Sequence, residues 1–406
     1  MTTAPGAIAP SPIRWRMPIA LLMVSVVNWF DRSAMSLALP KIIAERGWTT
    51  AEIGANGGRL ISMFFLGYGL ANILLSPIAE RFGPRKALMV SVIAFSIATA
   101  LNAPLGTSIA ALVALRFLLG VSEGIHFPMA GAIVSRWFPA NERSRANGIY
   151  IFGIQGAVIA GPFLMVPLID HFGWRSMFVA LGALGLLLAL PAVVGILRDD
   201  GPYLGNNSAA EAPSPWTVFR DPNYLLVLAA GILANIVIYG LLTWLPTYLA
   251  EGRRVPFADL AASASAPFWM GSVAIPIWAV LGDRMNRRAL FASVGSGIAG
   301  AGVYFAAHAS SVGITVAILS LAMFFQTAYQ TSEYALVQRI LPPARVGAAT
   351  GLYNGLAIIV GGAGGTALIG GIVEATGSYD SGLMVVVAAG LLNVVVLGLL
   401  ARRINY

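Results

Sequence analysis

The chain is predicted to be an all-α membrane protein of twelve transmembrane helices arranged as two pseudo-symmetric six-helix halves. Three observations carry that expectation. Hydrophobic residues make up 58% of the 406 and charged residues only 10%, whereas soluble domains carry about 25% charged residues. Apolar runs long enough to cross a bilayer as helices recur twelve times between short polar breaks. Matching residues also recur at one constant offset of 203 positions in two separate loops.

The first span, 17–39, follows Arg14 and Arg16, and no small-residue cleavage site comes after it. It therefore reads as a retained helix and not as a signal peptide. Span two, 58–80, ends at the charged loop Glu80 to Lys86, and span three is 87–104. Spans four and five, 108–133 and 146–169, flank a basic segment with Arg136, Arg143 and Arg145; span six is 174–197. The longest polar break, Arg198 to Pro222, then divides the chain. Span seven is 223–248, and Arg253 and Arg254 precede span eight at 263–282. Arg284, Arg287 and Arg288 separate it from span nine at 289–308; span ten is 311–335. Arg339 and Arg345 precede span eleven at 346–372, and Arg402 and Arg403 close span twelve at 379–401. The expected units are residues 1–197, a cytoplasmic linker at 198–222, and residues 223–406.

Orientation follows from lysine and arginine. With both termini cytoplasmic, seventeen of the 25 lie in inner segments and five in outer ones, the rest being Arg32, Arg59 and Arg116. That excess predicts an inner-membrane protein with both termini inside by the positive-inside rule. The net charge of +8 has the same origin, and no nucleic-acid partner is expected. At the 203 offset Glu80-Arg81 matches Asp283-Arg284, and Arg85 matches Arg288. Pro139, Ala146, Gly148 and Tyr150 likewise match Pro342, Ala349, Gly351 and Tyr353. Parallel six-helix repeats place a substrate site between the halves near the midplane.

Ionisable groups at membrane depth are costly and mark function. Asp31 and Arg32 lie mid-span in span one; Arg116 and Glu123 lie in span four. The latter two are seven residues apart, which puts them on nearly one helix face about 10 Å apart along the axis. That spacing leaves room for a substrate carboxylate at Arg116 and a proton site at Glu123. Adjacent residues on a helix cannot face each other, so Asp31 and Arg32 each need a separate partner. At the repeat offset Asp31-Arg32 corresponds to Ala234-Asn235 and Glu123 to Gln326. The first half is thus expected to carry charge recognition and coupling. The second is expected to supply hydrogen bonds through Asn235, Tyr239, Gln326, Tyr329, Gln330 and Asn354, with Tyr68 and Gln155 adding contacts from the first; for each of these, interhelical bonding within the bundle is an equally good reading.

The loop Glu80-Arg81-Phe82-Gly83-Pro84-Arg85-Lys86 resembles that of the major facilitator superfamily. Glu80, Arg81, Arg85, Asp283, Arg284 and Arg288 are the expected conformational latch, in which an acid pairs with loop arginines in one state and releases them in another. Asn28-Trp29-Phe30-Asp31-Arg32, the run Arg116 to Pro128 continuing through Trp137-Phe138-Pro139 to Ala146, and Trp244 to Leu249 resemble the anion:cation symporter family. That family includes sugar-acid/H⁺ symporters, phthalate permeases and vesicular glutamate transporters. The resemblance implies proton-coupled symport of an organic anion by alternating access, with Asp31 and Glu123 as the protonatable carboxylates and Arg32 and Arg116 linked to anion recognition and gating. Two features depart from the pattern. His126 stands where relatives have an aromatic or small polar residue, and packing is the favoured reading. Gly361-Gly362-Ala363-Gly364-Gly365 stands where sugar-acid members show a Gly-Asn pair, which favours a less hydroxylated acid such as an aromatic or short-chain one. Glu333, near the inner end of span ten, is a further coupling candidate or a loop-facing latch.

The absence of cysteine removes disulfides and thiolate chemistry, and three scattered histidines make no metal set. No enzyme activity, metal or cofactor is expected, and the partners are a small organic anion, protons and lipid around a monomer. The rival on the same fold is a proton-coupled exporter of drugs or metabolites, against which the midplane Arg116 argues. A nutrient sensor would carry long cytoplasmic extensions, and the tails here are short.

Overall fold

The computed structural model describes residues 13–139, 142–203, 215–285, 287–340 and 346–404, and every regular element among them is helical. Helix α1 is Arg16–Arg46; α2, α3 and α4 are Thr50–Leu74, Pro84–Leu105 and Ile109–Trp137. One continuous run, Arg143–Leu184, turns a corner at Gly173, whose φ of 82° suits a residue without Cβ. The corner separates α5 (143–172) from α6 (174–195). Helices α7 to α12 are Pro222–Gly252, Phe257–Gly282, Arg288–Ala307, Val312–Ile340, Ala349–Thr376 and Tyr379–Arg403.

All twelve expected spans are helical, and the ends differ for local reasons. Expected to stop at residue 39, α1 carries Pro40 inside it and runs on to Gly47, whose left-handed φ of 61° lets its N–H cap the carbonyl of Ile43. Helix α2 starts well before residue 58. Thr49 accepts from the Glu52 N–H, and the Glu52 carboxylate takes the Thr49 N–H, a reciprocal cap. Asp221 and Ser378 cap α7 and α12 in the same manner, each accepting from a backbone N–H of the first turn.

The start of α1 and the end of α12 share one end, which also holds most of the arginines and is called the basic end here. At the other end the six helices on each side of the linker press together. Gly54 and Gly58 of α2 lie against Gly370 of α11; a Cβ at Gly54 would stand 2.5 Å from the Gly370 carbonyl oxygen. Trp244 of α7 covers Gly57, and Lys41 of α1 lies 4.4 Å over the Phe257 ring. Between α1, α5, α7 and α8 only a void of about 20 Å³ remains. Small residues allow this approach because lipid offers no hydrophobic drive between helices. Toward the basic end α2 and α11 stay in contact, with Ile73 against Gly355, while Tyr334 of α10 is 45% exposed. The molecule is closed at one end and opens beside α10 at the basic end.

Beyond the apolar part of α1, a clasp holds the corner. Arg175 grips Glu45 with two bonds of 2.7 and 2.8 Å, Trp174 Nε1 donates to the same carboxylate, and Lys41 pairs with Asp170. These donors hold the Glu45 carboxyl at about 2, below its ordinary 4.5, with the Arg175 hydrogen bond the largest cause. The folded-state value is depressed, so the clasp is fully made above the ordinary value and lost only as pH falls toward 2. A pH dependence of activity near neutrality therefore has to come from elsewhere.

The glycine seam gives the first prediction. Gly370→Val overpacks it by about 1–3 kcal/mol, which shifts a two-state equilibrium about 5–150-fold away from the closed seam. Maleimide labelling of Tyr334→Cys, in a chain otherwise free of cysteine, is expected to slow in proportion to the fall in the population of the closed-seam state. Unchanged labelling would show that the seam does not set the conformation.

Candidate functional site

Arg32 lies about 24 Å along α1 from its basic end, near the middle of the helix, and is 2% exposed. Three rings surround its guanidinium: Trp29 one turn earlier at 4.4 Å, and Tyr68 and Phe64 of α2 at 4.6 and 5.2 Å. A delocalised cation stacks on such faces where an ammonium would be poorly held. Nη2 stands 3.9 Å from Glu123 Oε2, an ion pair too long to be a hydrogen bond. Nη1 donates at 3.4 Å to the Tyr239 hydroxyl of α7. Among the described residues that is the one hydrogen bond joining the helices before the linker to those after it.

Arg116 of α4 is equally buried and differently employed. Its Nε donates to the Leu60 carbonyl at 3.2 Å and its Nη1 to the Asp31 carbonyl at 3.5 Å, with Phe64 beneath it at 4.7 Å. It knits α1, α2 and α4 together. The carboxylates of Asp31 and Glu123 have no hydrogen-bond partner among the described residues, nor do the amide of Asn28 and Arg32 Nε and Nη2. Arg116 and Thr99 act electrostatically on Asp31, while Arg32, Asp31, Arg116 and Asn28 act on Glu123. Two acids and two guanidiniums thus form one buried cluster that is neutral when all four are ionised. Its unpaired donors and acceptors point to a ligand, because buried polar groups are otherwise satisfied.

The other expected residues lie around this cluster or apart from it. Tyr68 stacks on Arg32, and Tyr239 closes the cluster from α7 while packing 4.4 Å from Phe65. Gln326 of α10 is fully buried with neither amide atom bonded. Asn235 is half-buried and donates to the Gly231 carbonyl of its own helix, a local bond. Gln155 is half-buried on α5 and makes no hydrogen bond to a described residue. Tyr329 is buried with its hydroxyl 2.8 Å from that of Tyr353, which donates at 2.8 Å to Glu333. Asn354 Oδ1 accepts from Tyr334 at 3.5 Å. His126 is bound by Ser25 at 2.9 Å and packs on the Phe127 ring. Trp29, Tyr150, Tyr334 and Tyr353 were not among the expected site residues. The spacing of Trp29 and Arg32, one turn apart, and the repeat of Tyr150 in Tyr353 were the available signals.

At the basic end the expected latch acids and bases are arranged differently. Glu80, Arg81 and Arg284 are exposed, and Glu80 forms no ion pair among the described residues. The acid that meets the loop is Asp199, just after α6: it accepts from the Arg85 N–H at 3.0 Å and pairs with Arg136 at 3.4 Å. Gly83, at φ 96°, makes room, since a Cβ there would stand 2.8 Å from the Asp199 carboxylate. Arg85 also caps the carbonyls of Val193 and Val194. Arg288 donates to the Thr331 carbonyl; the side chain of Asp283 lies outside the described residues.

A family model described as Major Facilitator Superfamily matches residues 21–366 and 254–405. The chain is 31% identical over 390 residues to a probable sulfoacetate transporter, SauU, of Cupriavidus necator, spanning 90% of this chain and 88% of that one. It is 27% identical over 409 residues to a probable galactarate/D-glucarate transporter, GudP, of Bacillus subtilis, spanning 92% and 89%. In fold it resembles an inward-facing bacterial homolog of the human lysosomal transporter Spinster, with a TM-score of 0.76 at 19% identity over 97% of this chain and 96% of that chain. It resembles a D-xylose-proton symporter equally, at 0.76 and 14% identity over 94% and 96%.

If Arg32 holds the cluster together, Arg32→Ala should cost about 3–5 kcal/mol, because it leaves Glu123 buried and unpaired. Adding Glu123→Gln should restore much of the loss, read as the melting temperature of purified protein. Equal instability of the single and double variants would mean the two side chains do not depend on each other.

Proposed function

We propose that this chain, which belongs to the Major Facilitator Superfamily and within it to the anion:cation symporter family, is a carrier that imports an organic anion together with protons. The observation that carries the reading is the neutral four-charge cluster of Asp31, Arg32, Arg116 and Glu123, open toward a partner half through Arg32 and Tyr239. An arriving anion takes up the unpaired guanidinium donors of Arg32. The cluster then carries an excess negative charge, and a proton on Glu123 or Asp31 restores neutrality before the site closes. Coupling of this kind is reciprocal, so protons also favour anion binding. Arg116, tied to two backbone carbonyls, holds the Asp31 segment in place and contributes its field.

Residues 1–197 and 223–406 are the rocking bodies, 198–222 the linker, and the basic end the cytoplasmic side of an inner membrane. On that assignment the present conformation is inward-facing. The carrier works as a monomer. The relatives named for sulfoacetate and for galactarate and glucarate support small, strongly ionised acids as the substrate class, and the glycine run of α11 favours the less hydroxylated among them.

The experiment is a thermal-shift panel on detergent-purified protein at acidic and alkaline pH. Sulfoacetate, sugar acids and aromatic acids stand beside neutral sugars and cationic drugs. Stabilisation by one acid class, stronger at acidic pH, is expected. In proteoliposomes Glu123→Gln should lose proton-driven uptake while keeping anion counterflow, since an intramembrane acid is expected to be functional. Stabilisation only by neutral or cationic compounds would turn the reading toward an exporter on the same fold.

A further inference from the structure

We propose that Glu333 is a second proton-binding site, on the half opposite the four-charge cluster, and that the anion passes it between Arg32 and the basic end. The inference rests on the proton-linked anion transport proposed above. Glu333 lies about 10 Å in from the basic end of α10 and Tyr353 lies near the same depth on α11. The depth lies between the cluster and the open end, on the side where Tyr334 is exposed.

The groups facing Glu333 can be named from each packed element. Tyr353 on α11 donates to its Oε1 and pairs with the Tyr329 hydroxyl. Tyr334 is its neighbour on α10, with Asn354 behind that phenol. Tyr239 of α7, which accepts from Arg32, interacts with it electrostatically at longer range. Among the described residues the one cation placed on this stretch of α10 is Arg288 of α9, which donates to the Thr331 carbonyl two residues away, and no ion pair involves Glu333. The contrast with Glu123 is chemical. Glu123 answers to Arg32, whereas Glu333 answers only to phenols, so its one available neutralising partner is a proton. Ionised, it opposes an anion approaching along the open side; protonated, its O–H becomes a donor to Tyr353 or to the passing ligand. The step is a proton from water in the opening to one carboxylate oxygen, with no other bond made or broken. Tyr239, bonded to Arg32, lies within the electrostatic reach of Glu333, and this connects the state of Glu333 to the hydrogen bond across the seam.

Infrared difference spectra of purified protein between acidic and alkaline pH test this without any ligand. A protonated-carboxyl band is expected that Glu333→Gln removes, Tyr353→Phe shifts in frequency by removing its hydrogen bond, and Glu123→Gln retains. A difference spectrum identical in wild type, Glu333→Gln and Tyr353→Phe would overturn the proposal. Should Glu333→Gln fail to fold, the frequency shift in Tyr353→Phe decides alone, since a carboxyl elsewhere would not register that change. The reading of the cluster fails separately: it does so if the Glu333 band is present but Glu123→Gln retains proton-driven uptake.

Discussion

One permanently charged guanidinium in the middle of a membrane helix constrains everything around it. Arg32 cannot release its proton, and mid-span it cannot extend to either surface. Its charge must therefore be answered where it stands. Trp29 does so from the same helix, Tyr68 and Phe64 from α2, Glu123 from α4 and Tyr239 from α7. Four helices are fixed in rotation by that requirement. Arg116 is needed in turn, since Asp31 is buried beside Arg32 with no hydrogen-bond partner of its own.

The surfaces that must move are built by a different rule. Away from the basic end the seam is glycine against glycine and tryptophan over glycine, with no buried charge to strand when it opens. At the midplane a single hydrogen bond crosses it. At the basic end Asp199 secures the chain after α6 to the α2–α3 loop and to Arg136, which ties that segment to the first six helices. Rocking about such a seam needs two packings of similar energy, and contacts made of small residues and one long polar bond provide them.

What the sequence revealed and what it hid divide along the same line. The spans and the burial of the four charges depend on local composition and spacing, and each was legible. The 203-residue repeat even paired Tyr150 with Tyr353 before either was placed. Partner choice was not legible, because it depends on how each helix is rotated in the bundle. Arg116 and Glu123 share a helix face as their spacing requires, yet one is held by the backbone of its own half and the other meets Arg32. Glu80 carries the loop resemblance, but the acid in contact is Asp199, more than a hundred residues away in sequence. Asn235, positioned by the repeat opposite Arg32, bonds instead to its own helix.

The inequality of the halves follows from the cost of parting charges. Separating a buried ion pair leaves about 3–5 kcal/mol of uncompensated charge, whereas a hydrogen bond between a charged and a neutral group is worth only about 1.5–3 kcal/mol. A carrier that split an ion pair between its halves would meet the greater of these two costs in every cycle. Here both acids and both guanidiniums of the cluster lie on one side of the seam, and the opposite side offers a phenol at Tyr239. On the alternating-access reading proposed above, each opening would separate Arg32 from a neutral hydroxyl and leave the ion pair with Glu123 intact. The loss of the charges at the repeat positions Ala234, Asn235 and Gln326 is, on this argument, what allows the two halves to part.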